Sequence, residues 1–244
     1  MSDQNLSKVS DLPVDQVSVP LIKAEKLVKR YVTGENTVTA LNHLSIEIPK
    51  GKLTILRGKS GSGKTTFLNA IGALDYPDEG SILFDGEEIS TLSPHDRDKL
   101  RRWKMGFVFQ SIALMGDMTA YENIDFNLRI AGMSYQERKE RVLECLTLVG
   151  LSDRANHLPQ ELSGGEQQRI AIARAISHKP MVVLADEPTA QLDTQMALRI
   201  VRLFLDLVEK EGITVVMLTH DPEMVAVAHK VYTLSDGEVI DEHE

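Results

Sequence analysis

Gly58-Lys59-Ser60-Gly61-Ser62-Gly63-Lys64-Thr65 fits G-x-x-x-x-G-K-[S/T] at every fixed position. An apolar run, Leu53–Leu56, leads into it, and a helical pattern, Thr66–Leu74, follows. Strand, glycine-rich turn and helix are the context in which this motif cradles phosphate. The glycines let the backbone approach the anion. Lys64 supplies a point charge to the β- and γ-phosphates, and Thr65 offers its hydroxyl to Mg²⁺. With Lys59, Ser60, Ser62 and Thr66 the loop forms one candidate nucleotide cradle.

The matching second element is Met181-Val182-Val183-Leu184-Ala185-Asp186-Glu187. Its apolar residues predict a buried strand, with two carboxylates at the end. Asp186 is the natural ligand for Mg²⁺, and Glu187 is placed to orient or deprotonate an attacking water. Gln110 closes the run Gly106–Phe109, and His220 closes the run Val215–Thr219. The carboxyl ends of parallel strands are where open α/β sheets bind ligands. The pattern therefore puts Gln110 and His220 beside the terminal phosphate, with Gln110 also a candidate for the metal shell.

Leu162-Ser163-Gly164-Gly165-Glu166-Gln167-Gln168-Arg169 sets a Ser-Gly-Gly turn ahead of a helical pattern, Glu166–Ser177. Ser163 and Glu166 make a capping box. The same geometry is a second anion cradle, and one triphosphate needs only one.

Around these motifs the chain alternates. Short strand-like runs precede the middle third at Leu21–Leu27, Leu44–Ile48 and Ile82–Phe84. Capped helices are predicted after Ser93-Pro94 and after Ser134, the latter stopping at Gly150. Residues 112–178 read as almost wholly helical, a lobe inserted in or appended to an α/β core. The last third gives a helix at Gln195–Lys210, a strand at Ile213–Leu218, a helix start at Asp221-Pro222 and a hairpin around Asp236-Gly237. Residues 1–20 are polar and read as a tail.

Bulk composition narrows the partners. The 244 residues carry a net charge of −9, which disfavours sequence-independent nucleic-acid binding. The single cysteine, Cys145, excludes an intramolecular disulfide and reads as a small buried hydrophobe. No apolar run approaches the roughly 18–20 residues of a membrane span, and the N-terminus has no signal pattern. A cytoplasmic chain is expected, with any membrane role supplied by a partner. Arg101-Arg102-Trp103-Lys104 reads as a solvated helix face with Trp103 packed inward. The histidines other than His220 lack metal-ligand spacing.

Phosphate loop, strand-end Gln110, LSGGEQQR, acid pair, Leu192-Asp193 and strand-end His220 occur in that order. The set resembles the ATP-binding cassette ATPases over about residues 21–241. Within the family, Thr39–Leu41, Ile71–Asp75, Gly106–Gln110 and Thr119–Asn123 resemble the ATPases of lipoprotein-release, macrolide-export and antimicrobial-peptide-resistance transporters. Lys59, Thr66, Gly116 and Thr189-Ala190-Gln191 depart from the common choices without removing a catalytic group.

The resemblance implies a P-loop NTPase (RecA-like) α/β core with an N-terminal antiparallel β part and an inserted α-helical subdomain, about 112–178. It implies a head-to-tail homodimer. Each ATP then lies between one chain's phosphate loop and Ser163, Gly164, Gly165 and Glu166 of the other, with Asp193 nearby. Tyr31 matches the aromatic that stacks on adenine. A separate membrane permease is the implied partner, docking near residues 111–135 and holding the chain at the inner membrane face. A soluble cassette for DNA repair or translation is the alternative. No heptad array separates Lys64 from Asp186, and the chain carries one cassette, both of which disfavour it. A cassette that binds ATP without hydrolysing it is disfavoured by the intact Lys64, Asp186, Glu187 and His220.

Overall fold

The computed structural model describes residues 19–34 and 36–243. The expected tail, up to residue 18, lies outside them. In chain order the strands are β1 (Ile22–Thr33), β2 (Asn36–Ile48), β3 (Leu53–Arg57), β4 (Glu79–Phe84), β5 (Glu87–Glu88), β6 (Met105–Val108), β7 (Val182–Asp186), β8 (Thr214–Leu218), β9 (Lys230–Ser235) and β10 (Glu238–His243). The helices are α1 (Lys64–Ile71), α2 (Pro94–Lys104), α3 (Ala120–Ile130), α4 (Tyr135–Leu148), α5 (Gly164–Ile176), α6 (Thr194–Glu211) and α7 (Pro222–Val225).

Two sheets form. One is antiparallel, in the order β2-β1-β4-β5. The other runs β10-β9-β3-β8-β7-β6 and is parallel except for the terminal β9–β10 hairpin. The burial patterns explain the difference. In β2 exposed and buried positions alternate toward its C-terminal end, as in a sheet covered on one face. All five residues of β8 are buried, and so are the first four of β3 and β7. Such strands must be covered on both faces.

The period of two along a strand divides these residues between two cores. Ile55, Val183, Val215 and Met217 join the apolar faces of α3, α4, α5 and α6. Leu56, Leu184, Val216 and Leu218 join α1, Leu100 of α2 and the antiparallel sheet. The segment 112–178 carries α3, α4, two short 3-10 turns and α5, and its buried apolar residues, Ala171 apart, belong to the first of these cores. Gly106 makes this close packing possible, because a Cβ there would lie 2.3 Å from the carbonyl oxygen of Ala175 on α5. One expectation is corrected. Trp103 is 49% exposed rather than packed inward. The inner face of α2 is taken by Arg97 and Leu100, and the indole Nε1 donates to the carbonyl of Ala131 at 3.2 Å.

Candidate functional site

The β3–α1 turn, the ends of β6, β7 and β8, and the β1–β2 hairpin meet at one cleft of about 730 Å³. From the turn come Gly58, Lys59, Ser60, Gly61, Gly63, Lys64, Thr65 and Thr66. Tyr31 comes from β1, Gln110 follows β6, Asp186 and Glu187 end β7, and His220 follows β8. Ser62 is buried beneath the turn, its hydroxyl without a protein partner. The turn is shaped for an anion. Gly63, at φ 98°, starts α1 without a side-chain cap, whereas every other described α-helix has one. The N–H groups of that first turn are thus left for a ligand. A Cβ on Gly63 would sit 2.4 Å from the carbonyl oxygen of Ala40. The Lys64 ammonium is buried at the loop's mouth, donating to the carbonyls of Gly58 and Lys59, both at 2.9 Å.

Asp186 is half-buried, with the Thr65 hydroxyl near enough to favour its charged form. Burial, and then the neighbouring Glu187 charge, raise its pKa above the usual carboxylate range. A carboxylate held this way gains from a cation. Among the described residues, no cluster of three or more His, Cys, Asp or Glu is arranged to hold a metal by itself. Thr65, Gln110 and Asp186 provide oxygen donors of the kind Mg²⁺ takes, with nucleotide phosphates to complete its shell. Glu187 adopts φ 44°, a left-handed conformation uncommon for its type. Its Oε1 lies 3.9 Å from Nδ1 of His220. The Tyr31 ring is 39% exposed at the cleft edge, and its hydroxyl donates to Asp75 Oδ2 at 3.0 Å.

Ser163, Gly164, Gly165 and Glu166 are not part of this cleft. They open α5, with Ser163 and Gly164 exposed. The capping box is complete: Ser163 Oγ accepts from the Glu166 N–H at 3.3 Å, and Glu166 Oε2 accepts from the Ser163 N–H at 2.9 Å. Asp193 is also outside the cleft. It caps α6, accepting from the Met196 N–H at 3.0 Å. Within one chain, then, the two anion cradles stay separate. Sequence reasoning missed Val38 and Ala40, which line the cleft, and Arg154, which donates to Glu166 at 3.1 Å. Val38 carries no motif, and Ala40 stands out only within the family-like stretch Thr39–Leu41, so only the fold could bring them to the cleft.

An uncapped helix start, a buried lysine at its mouth and an acid pair across the cleft are the features of a phosphate-loop nucleotide-binding site. The family model for ABC transporters matches residues 41–190, and the chain belongs to that family. It is 43% identical over 223 residues to an uncharacterized ABC transporter ATP-binding protein, MJ0796, of Methanocaldococcus jannaschii, covering 90% of this chain and 95% of that one. It is 40% identical over 220 residues to the macrolide export ATP-binding/permease protein MacB of Vibrio parahaemolyticus. That match covers 90% of this chain and 34% of MacB, so the chain spans about a third of the exporter's length. Among solved structures, a dimeric post-hydrolysis state of the MJ0796 cassette bound to ADP and Pi superposes with a TM-score of 0.83 at 41% identity, covering 91% and 98% of the two chains. CbiO1 from Clostridium perfringens, part of the CbiONQ transporter complex, gives 0.84 at 30% identity, covering 91% and 88%. The chain is an ATP-binding, ATP-hydrolysing cassette, and the DNA-repair or translation alternative is not favoured.

Proposed function

We propose that residues 21–244 form one nucleotide-binding domain, with a helical subdomain at about 112–178, that powers a separate membrane permease. Two copies pack head to tail around two ATP molecules. In each site the turn from Gly58 to Thr66 and Tyr31 of one chain hold the nucleotide, and Ser163, Gly164, Gly165, Glu166 and Asp193 of the other close over it. Thr65 and Asp186, with Gln110 adjoining, would hold Mg²⁺, which would supply charge neutralisation at the phosphates. Glu187 orients the attacking water, and His220 and Gln110 contact the terminal phosphate. Hydrolysis and product release reopen the pair. The observation that carries this reading is the separation of the two cradles within one chain, with Ser163 and Gly164 exposed. The MJ0796 cassette, so similar in fold, is itself dimeric with ADP and Pi.

A second cleft, of about 560 Å³, supports the permease reading. Phe107, Phe109, Met115, Phe126 and Ile130 line it, beside the stretch following Gln110. Phe109, Phe126 and Ile130 are exposed apolar groups of the kind that mark a docking surface. Met115 thus lines the cleft, while Leu114 packs against the core. No described helix is long and apolar enough to cross a membrane. On this reading the permease holds the protein at the inner membrane face.

Affinity purification of the tagged chain from membranes of its own host tests the reading. A polytopic membrane protein is expected to co-purify, and Phe126→Asp is expected to release it without loss of ATP binding. Nucleic acid in place of a membrane protein would overturn the assignment.

A further inference from the structure

A carboxylate is out of place in an anion cradle. Glu166 lies in the first turn of α5, three residues from Ser163, where a partner's triphosphate would arrive. Its Oε2 accepts from the Ser163 N–H at 2.9 Å and from the Ser163 hydroxyl at 2.8 Å. A serine hydroxyl carries one proton, so that proton is committed to Glu166. Phosphate oxygens only accept. The hydroxyl must turn away from Glu166 before it can serve them.

The opposite oxygen of the same carboxylate has a different partner. Arg154, on the 3-10 turn Ser152–Arg154, donates from Nε to Glu166 Oε1 at 3.1 Å. Asp153 is the other acid beside the guanidinium, at 3.7 Å from Nη1, and it is largely exposed. Hydrogen bonds from Ser163, and then from Arg154, pull the Glu166 pKa down to about 2, so the carboxylate stays charged at neutral pH.

We propose that Arg154 is a positioning residue for the Ser163 cradle: by neutralising Glu166 it keeps the cradle receptive to a neighbour's phosphate and eases the release of the Ser163 hydroxyl. The inference rests on the two-chain ATP site proposed above. Two effects follow from the geometry. Without Arg154 the full carboxylate charge faces the incoming triphosphate, and like charges at close range oppose association. The same bare carboxylate also holds the serine proton more strongly. Arg154 has a second, purely structural position: its N–H donates to the Leu151 carbonyl and its own carbonyl accepts from His157. Those are backbone bonds and survive side-chain substitution.

The test measures ATP-dependent dimerisation of the full chain in a Glu187→Gln background, by light scattering against ATP concentration. Arg154→Ala is expected to raise the ATP concentration for half-maximal dimer by ~tenfold, a shift typical of one unpaired charge at an interface. ATP affinity at protein dilutions too low for dimer should not change, and Arg154→Lys should recover much of the loss. The decisive variant is Arg154→Ala with Glu166→Gln, which removes the charge that Arg154 answers. It is expected to match Glu166→Gln alone. An Arg154→Ala chain that dimerises normally, or a double variant as impaired as Arg154→Ala, overturns the proposal. If the parent does not dimerise with ATP, the two-chain site itself fails and this inference falls with it.

Discussion

Nδ1 of His220 lies 3.9 Å from Oε1 of Glu187, one at the end of β8 and the other at the end of β7. The two strands pair in parallel, Asp186 opposite Leu218, so the sheet register brings both residues to the same end of the sheet. A water between the terminal phosphate and Glu187 would lie within reach of both groups. Glu187→Gln is expected to retain ATP and lower steady-state phosphate release by ~10²–10⁴-fold, the usual contribution of a positioned acid or base. His220→Ala should fall in the same range. Hydrolysis by Glu187→Gln at the unmodified rate would remove Glu187 from the reaction.

Lys64 donates to two loop carbonyls, at 2.9 Å each, and is almost fully buried. Replacing those carbonyls by phosphate oxygens gives it charge-assisted bonds. Lys64→Ala should weaken ATP binding by ~10–100-fold, the worth of one hydrogen bond to a charged group. Calorimetry at fixed Mg²⁺ checks this, and an unchanged affinity would sink the phosphate-loop assignment.

Asp186 predicts a trade between stability and activity. Its folded pKa is raised by burial and by Glu187, so its ionisation weighs against the fold. Without nucleotide or metal, that cost is present at neutral pH and is relieved as pH falls through the raised value. Asp186→Asn should raise the Tm of the ligand-free chain by ~1–2 °C, since partial exposure screens the repulsion. It should also flatten the pH dependence in that window while stopping Mg²⁺-dependent hydrolysis. A lower Tm in the variant would contradict the assignment.

Cys145 is fully buried in the α4 face of the first core, and burial pushes its thiol pKa up to about 12. At pH 8 almost none is thiolate, and access is closed. A disulfide reagent should therefore label the chain only on unfolding, with a rate that follows denaturant. Rapid labelling of the folded chain would show a local opening at α4.

The phosphate loop, the acid pair and the caps at Ser93, Ser134 and Ser163 were legible because each is a short-range rule. An apolar strand, a turn of fixed glycines and a cap three residues from its acceptor all act within a few positions. The long β1–β2 hairpin was read only as its buried parts, Leu21–Leu27 and Leu44–Ile48. Its outer residues, among them Val32 and Val38, are exposed and lack an alternating signal. Trp103 was misread because α2 turns its buried face through Arg97 and Leu100, which no local pattern reveals for an arginine. Asp193 is a helix cap in one chain, and its expected place near nucleotide needs a second chain. Strand order, and with it the meeting of Tyr31, Gln110 and His220, depends on pairings between residues far apart in sequence.

The two-chain ATP site is tested most directly by the molar mass of the Glu187→Gln chain with saturating ATP, with and without Ser163→Arg. The 27.1 kDa chain is expected to double its mass with ATP and to return to monomer on ATP removal. Adding Ser163→Arg should leave it monomeric while it still binds ATP. A Glu187→Gln chain that stays monomeric at saturating ATP, or a Ser163→Arg chain that dimerises equally well, would contradict the account.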